Sequence, residues 1–264
     1  MNNEVTTVFR EDHEELVSLP ATTENGGSGT IISPDDIPFT KLPPIPDSVK
    51  NKIFDAIHQR FLREDVSQMG EDAMRMLIQK YQQDISQIID DNVLDVLMPV
   101  QEGRYINSAT TRSLDQQGYN WRLWVSTKHS DGAHDAARNN LKGYGISSYV
   151  LFLDNDLELP LNGIRAMVHY LEQPENENVA CIVLHRVEDG DNHEYSVYDG
   201  TADFPSHVGM SCNLWRRDVL NQMAFTKRGS CECNAMCEDL RANGYEIGVL
   251  RGITCTHLKS RLTL

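Results

Sequence analysis

The period of the apolar positions changes twice along the chain. Residues 1–46 show no apolar period, and six of the ten prolines fall between Pro20 and Pro46, beside "ENGGSGT". That composition predicts a disordered or extended tail. From Asp47 the pattern turns helical: Val49, Ile53, Phe54, Ile57 and Phe61 share one face, and after a break at Gly70 so do Met74, Leu77, Tyr81, Ile85 and Ile88. Residues 47–92 therefore read as a helical extension of two amphipathic helices, suited to a packing lid or to the contact surface of a homo-oligomer.

From Val93 the pattern alternates. "VLDVLMPV" reads as a strand, "INSATTRSLDQQGY" as a helix ending near Gly118, "WRLWVST" as a strand and "GAHDAARNNLKGYG" as a helix closed by glycines. "YVLFLDND" follows as a strand, "NGIRAMVHYLEQ" as a helix, and "VACIVLHRV" and "YEIGVLRGITCTHL" as late strands. This grammar predicts an α/β domain over residues 93–264, with its ligand at the carboxyl ends of parallel strands.

One strand end carries chemistry. In "YVLFLDNDLEL", residues 149–159, four apolar residues run straight into Asp154, Asn155 and Asp156. Burying either charge unpaired would cost roughly several kcal/mol, so water or a cation must reach the pair. Hard carboxylate oxygens two residues apart suit Mg²⁺ or Mn²⁺, and such a cation accepts a diphosphate. Taken alone, the triplet is equally a solvated turn or a helix cap.

Composition narrows the partners. The 264 residues are 40% hydrophobic, enough for a core, and 39 acids against 24 bases give a net charge of −15. Unspecific attraction to nucleic acid or an anionic membrane is not expected of such a molecule. Residues 207–264 nevertheless hold 5 acids and 8 bases, so that portion is locally +3 and tolerates a phosphate. No run approaches the roughly 20 apolar residues of a membrane helix, and "MNNEVTTVFREDHEE" lacks the basic-then-apolar order of a signal peptide. A soluble, cytoplasmic protein is expected, in the host cytoplasm if the chain is viral. The six cysteines suit reduced thiols. Cys231, Cys233 and Cys237 could be read as zinc ligands with Cys255 or His257, although their spacing is not a strong zinc signature.

Four segments in order resemble the family 2 glycosyltransferases, which have the GT-A fold. "VLMPVQEGRYINSATTRSLDQQGY" looks like the family's opening strand, turn and first helix, and "AARNNLKGYGISSYVLFLDNDLELP" is similar to its Ala-Arg-Asn helix and D-x-D strand. "VGMSCNLWRRDVL" resembles the acceptor-side segment, and "ANGYEIGVLRGITCTHL" the Gly-Tyr strand that finishes in a histidine. The resemblance covers roughly residues 93–258. It implies a Rossmann-like nucleotide-sugar-binding domain that transfers a sugar from a nucleotide-diphosphate donor, a UDP-sugar being favoured, to an unidentified protein, small-molecule or modified nucleic-acid acceptor.

Carried over residue by residue, Asp154, Asp156 and His257 would hold Mn²⁺ or Mg²⁺, while Pro99, Val100, Arg138, Asn139 and Asn155 would serve the nucleotide side. Two positions depart from the family. Ser126 stands where the second strand should end in an acid, which leaves either Asp131 as a displaced substitute or a nucleoside held differently. The family's Glu-Asp pair falls on Glu232 and Cys233; a thiol is a poor base for a hydroxyl, which leaves Glu232 and then Asp239 as candidates for the base of an inverting reaction. Two rivals remain: a non-catalytic module with the same fold that binds and assembles, and a nucleotidyltransferase. The second wants a Gly-rich basic loop, and "PVQEGRYIN" is short with one arginine.

Overall fold

The computed structural model describes residues 5–9, 37, 39–63, 70, 72–79, 92–101, 104–129, 134–188, 194–195, 208–226, 228 and 232–258. In chain order the elements are β1 (Val5–Phe9), α1 (Asp47–Arg63), α2 (72–79), β2 (Val93–Gln101), α3 (Ser108–Asp115), β3 (Asn120–His129), α4 (His134–Leu141), β4 (Tyr149–Leu153) and β5 (Leu157–Glu158). They continue with α5 (Gly163–Leu171), β6 (Val179–Glu188), β7 (Glu194–Tyr195), β8 (Cys212–Arg216), α6 (Arg217–Gln222), α7 (Glu232–Ala242) and β9 (Glu246–His257).

Among the described residues the strands form one sheet in the order β1-β3-β2-β4-β8-β6-β9-β5, with β7 pairing β6. β2 is parallel to β3 and β4, and β6 to β9, whereas β8 runs antiparallel between β4 and β6. Strands β3, β2, β4, β6 and β9 therefore share one direction, and their carboxyl ends share one edge. Continuous apolar runs mark the central strands because both faces are covered: all five residues of β4 and eight of the nine in β2 are buried. Alternate side chains divide the core. Leu151 and Leu153 pack with Leu114, Ile164, Met167 and Leu171 from α3 and α5; Val150 and Phe152 pack on the opposite face with Leu141, Leu220, Met236 and Leu240 from α4, α6 and α7.

β9 crosses from one face to the other. Leu250 pairs with Leu184, but Thr254 pairs with the next residue, His185, so residues 251–253 bulge out of register, with Gly252 at φ +79°. An odd insertion reverses the side-chain alternation. Ile247 and Val249 thus pack with the second group and Ile253 and Cys255 with the first. By the same alternation His257, two residues beyond Cys255, follows its face, beside Leu157 of β5.

The expected α/β alternation is present. Within the span read as a tail, the described residues include β1, which adds antiparallel to β3, and the buried Ile37, Leu42 and Ile45, while residues 1–4 and 10–36 lie outside the described residues. Helices α1 and α2 lie in the span read as a helical extension, with Phe54, Met76 and Ile78 exposed; Tyr81, Ile85 and Ile88 lie outside the described residues. No described helix is long and apolar enough to cross a membrane.

Beneath the parallel strands lies a buried ionic hub. Asp95 of β2 is fully buried and accepts from Arg122 Nε at 3.0 Å, Trp124 Nε1 at 2.9 Å, Ile146 N at 2.6 Å, Ser147 N at 2.7 Å, Ser147 Oγ at 2.6 Å and Arg217 Nη2 at 2.9 Å. Burial alone would raise its pKa, but the two guanidinium groups and the hydrogen bonds outweigh it and hold the carboxyl below its ordinary value. Gly145, at φ +78°, passes directly over the carboxylate; a Cβ there would lie 2.2 Å from Asp95 Cγ.

Candidate functional site

A cleft of about 180 Å³ opens where the parallel strands end, lined by Pro99, Gln101, Arg104, His134, Asp154, Asn155, Asp156 and His257. Three distant stretches of chain meet there for local reasons. β4 stops at Leu153, and the backbone is caught at once by Asp154 N–H donating to Ser211 O at 2.9 Å. The turn is pinned on the other side as Asn107 N donates to Asn155 O at 3.0 Å and Asn155 Nδ2 to Tyr105 O at 2.6 Å. β5 then pairs with the end of β9, where Leu258 N donates to Asp156 O at 2.8 Å. This pairing sets His257 Nε2 3.3 Å from Asp156 Oδ2.

The carboxylates differ in surroundings. Burial pushes the Asp154 carboxyl up to about 6; Arg138 draws it back, the Asp156 charge adds to the rise, and Arg186 and His257 oppose it. About a third of the side chain (33%) stays accessible, so the rise reflects protein crowding around the remainder. Arg138 Nη2 lies 3.6 Å from Asp154 Oδ1.

Two carboxylates and one imidazole are donor types that a divalent cation accepts. Among the described residues, however, no three such groups are gathered tightly enough to cage an ion by themselves. Asp156 and His257 form the close pair, and Asp154 stands on the same wall. Of the thiols read as possible zinc ligands, Cys237 packs with one core group and Cys255 with the other, on opposite faces of the sheet, and Cys231 lies outside the described residues.

The remaining candidates separate. Pro99 and Asn155 line the cleft, whereas Val100 alternates inward and is 1% exposed, within the core. Asn139, next to Arg138 but turned around the helix, receives Phe225 N at 2.9 Å and donates to Phe225 O at 2.5 Å, so it braces a loop rather than the cleft. Ser126 is buried opposite Pro99, its Oγ without a partner among the described residues. Asp131 lies outside the described residues. Glu232 is ion-paired with Arg138, and Asp239 with Arg228; neither lines the cleft. Gln101, Arg104 and His134 line it without having been singled out. For Gln101 and Arg104 the available signal was their place just after the first strand's exit.

No protein-family model matches the chain, and no curated protein matches it in sequence. Solved structures with a similar shape include S. aureus TarS 1–349 in complex with UDP-GlcNAc, at 16% identity and a TM-score of 0.48, covering 64% of this chain and 61% of that one. Another is the mannosyltransferase PcManGT from Pyrobaculum calidifontis in complex with GDP-Man and Mn²⁺, at 10% identity and a TM-score of 0.48, covering 81% and 69%. A third is A197 from STIV, at 11% identity and a TM-score of 0.44, covering 62% and 84%. The chain thus spans about three fifths of the TarS 1–349 chains it matches. The ligands named belong to those proteins.

Proposed function

We propose that the cleft is the donor site of a metal-dependent glycosyltransferase of the GT-A kind, taking a nucleotide-diphosphate sugar and favouring a UDP-sugar. One observation carries the reading. Asp154, Asp156 and His257, nominated by the four-segment resemblance, meet in a single cleft at the carboxyl edge of the parallel strands, where an α/β sheet of this kind binds its ligand.

In the proposed reaction an acceptor oxygen attacks the sugar C1, the bond from C1 to the diphosphate oxygen breaks, and the nucleoside diphosphate leaves with that electron pair. Asp154, Asp156 and His257 would hold Mn²⁺ or Mg²⁺, which when bound neutralises charge on the leaving diphosphate. Arg104, on the same cleft, supplies a fixed positive charge for the same anion. Pro99, with Ser126 behind it, forms the nucleoside side. The inverting course implied by the resemblance requires a carboxylate to take the acceptor's proton. Glu232, at the family's position, and then Asp239 are the candidates for that base, and each is held by an arginine. That observation favours a second reading, a module that binds the nucleotide sugar without turning it over.

Release of UDP or GDP from their sugars in the presence of Mn²⁺, followed with candidate acceptors, separates the two. Release abolished by Asp156→Ala supports the transferase; binding without release supports the module. The anomeric configuration of the product by NMR reports inversion or retention.

A further inference from the structure

Arg138 is a buried charge beside the cleft. It projects from α4 with its side chain only 5% exposed, and three other segments converge on it. One Nη donates to Glu232 Oε1 at the start of α7; the other donates to Met210 O at 3.1 Å and lies 3.6 Å from Asp154 Oδ1. Its Nε has no hydrogen-bond partner among the described residues. Met210 immediately precedes Ser211, whose carbonyl fixes the Asp154 backbone. Both the backbone and the carboxylate of Asp154 are thereby referenced to one short segment.

The geometry sorts the two acids. Glu232 makes a direct ion pair, is 13% exposed at its side chain and does not line the cleft. Asp154, at 3.6 Å, stands beyond hydrogen-bonding distance of the same guanidinium and is a third accessible. A guanidinium matches a carboxylate with two parallel N–H groups, so Arg138 freed from Glu232 would close on Asp154 and occupy the oxygens that face a cation.

We propose that Glu232 is a positioning residue: by engaging Arg138 it keeps that guanidinium from closing on Asp154 and leaves the Asp154 oxygens open to the divalent cation of the donor. This rests on the donor-site reading above, and it gives Glu232 a part in cation binding instead of proton transfer from the acceptor. Glu232 acts through Arg138, so its effect requires Arg138 to be present.

The test uses Mn²⁺ alone as the probe, read by electron paramagnetic resonance of the free ion on the full chain, so that it does not depend on which nucleotide is the donor. Glu232→Gln and Glu232→Ala are expected to weaken Mn²⁺ binding about tenfold. In an Arg138→Met background Glu232→Ala is expected to change nothing further, because the intermediary is gone. Glu232→Gln keeps the side chain's shape, and its thermal unfolding curve reports whether it folds as the parent does. With the donor sugar, Glu232→Gln is expected to raise the Mn²⁺ concentration for half-maximal release while leaving the saturated rate within a fewfold of the parent. A base would instead lose the saturated rate, with Mn²⁺ affinity unchanged. Equal Mn²⁺ affinity in the parent and in Glu232→Gln, or a Glu232→Ala effect that persists beside Arg138→Met, overturns the assignment of Glu232 alone. Parent protein that binds Mn²⁺ no better than Asp154→Ala overturns the donor-site reading, and the assignment with it.

Discussion

Replacing Asp95 by Asn tests whether the buried hub holds the sheet together. The variant keeps the shape and removes the charge that faces Arg122 and Arg217, both of which contact the carboxylate at about hydrogen-bond length, 3.0 and 2.9 Å. An amide has one oxygen for six donors. If that oxygen takes the Oδ2 place, its NH₂ faces the Arg122 and Trp124 N–H groups, donor against donor. Breaking a buried ion pair from one side costs about 3–5 kcal/mol. At about 2–4 °C per kcal/mol for a domain of this size, Tm should fall by about 6–20 °C. The folded-state pKa of Asp95 is depressed, so its contribution is fully present above the ordinary value of 3.8 and is lost as pH falls through the lower folded value. The gap between parent and variant should therefore persist at neutral pH and at pH 5, and narrow only in stronger acid. Circular dichroism melts at these pH values measure it. A Tm within 2 °C of the parent at neutral pH would refute the reasoning.

Gly145→Ala should act on the same hub from outside, since its Cβ would collide with the Asp95 carboxylate in a backbone conformation that L side chains resist; a loss of about 2–5 kcal/mol in urea unfolding is expected. Asp154→Asn should separate stability from binding. Its carboxyl is raised to about 6, so the parent's folded state is penalised for ionising it above that pH and regains stability as pH falls below 6. The variant should accordingly melt higher than the parent at pH 8, with the difference shrinking toward pH 4, while Mn²⁺ binding is lost. In the parent, Mn²⁺ affinity should fall at least tenfold per pH unit below 6, the slope that a proton competing at Asp154 alone supplies; an affinity flat from pH 7 to pH 5 would exclude Asp154 as a ligand.

The central strands and the acid pair were legible because parallel strands covered on both faces read as unbroken apolar runs, and a run that stops on two carboxylates marks its own edge. Other features needed distance information. A carboxylate inside "VLDVLMPV" acquires meaning only when Arg122 and Arg217, from β3 and α6, are folded against it. β1 is a five-residue segment in a polar stretch, and it is a strand because β3 offers it an edge. Neighbouring candidates diverged through periodicity: Pro99 and Val100 point to opposite faces of a strand, and Arg138 and Asn139 sit about 100° apart on a helix. His134 carried no local signal. It reaches the cleft because α4 begins near the carboxyl end of β3.

Calorimetric titration of UDP and of GDP into the protein, with and without Mn²⁺ and again on Asp156→Ala, tests the donor-site account most directly. The account predicts micromolar, Mn²⁺-dependent binding of one nucleotide that disappears in the variant; no binding of either nucleotide with any divalent cation would contradict it.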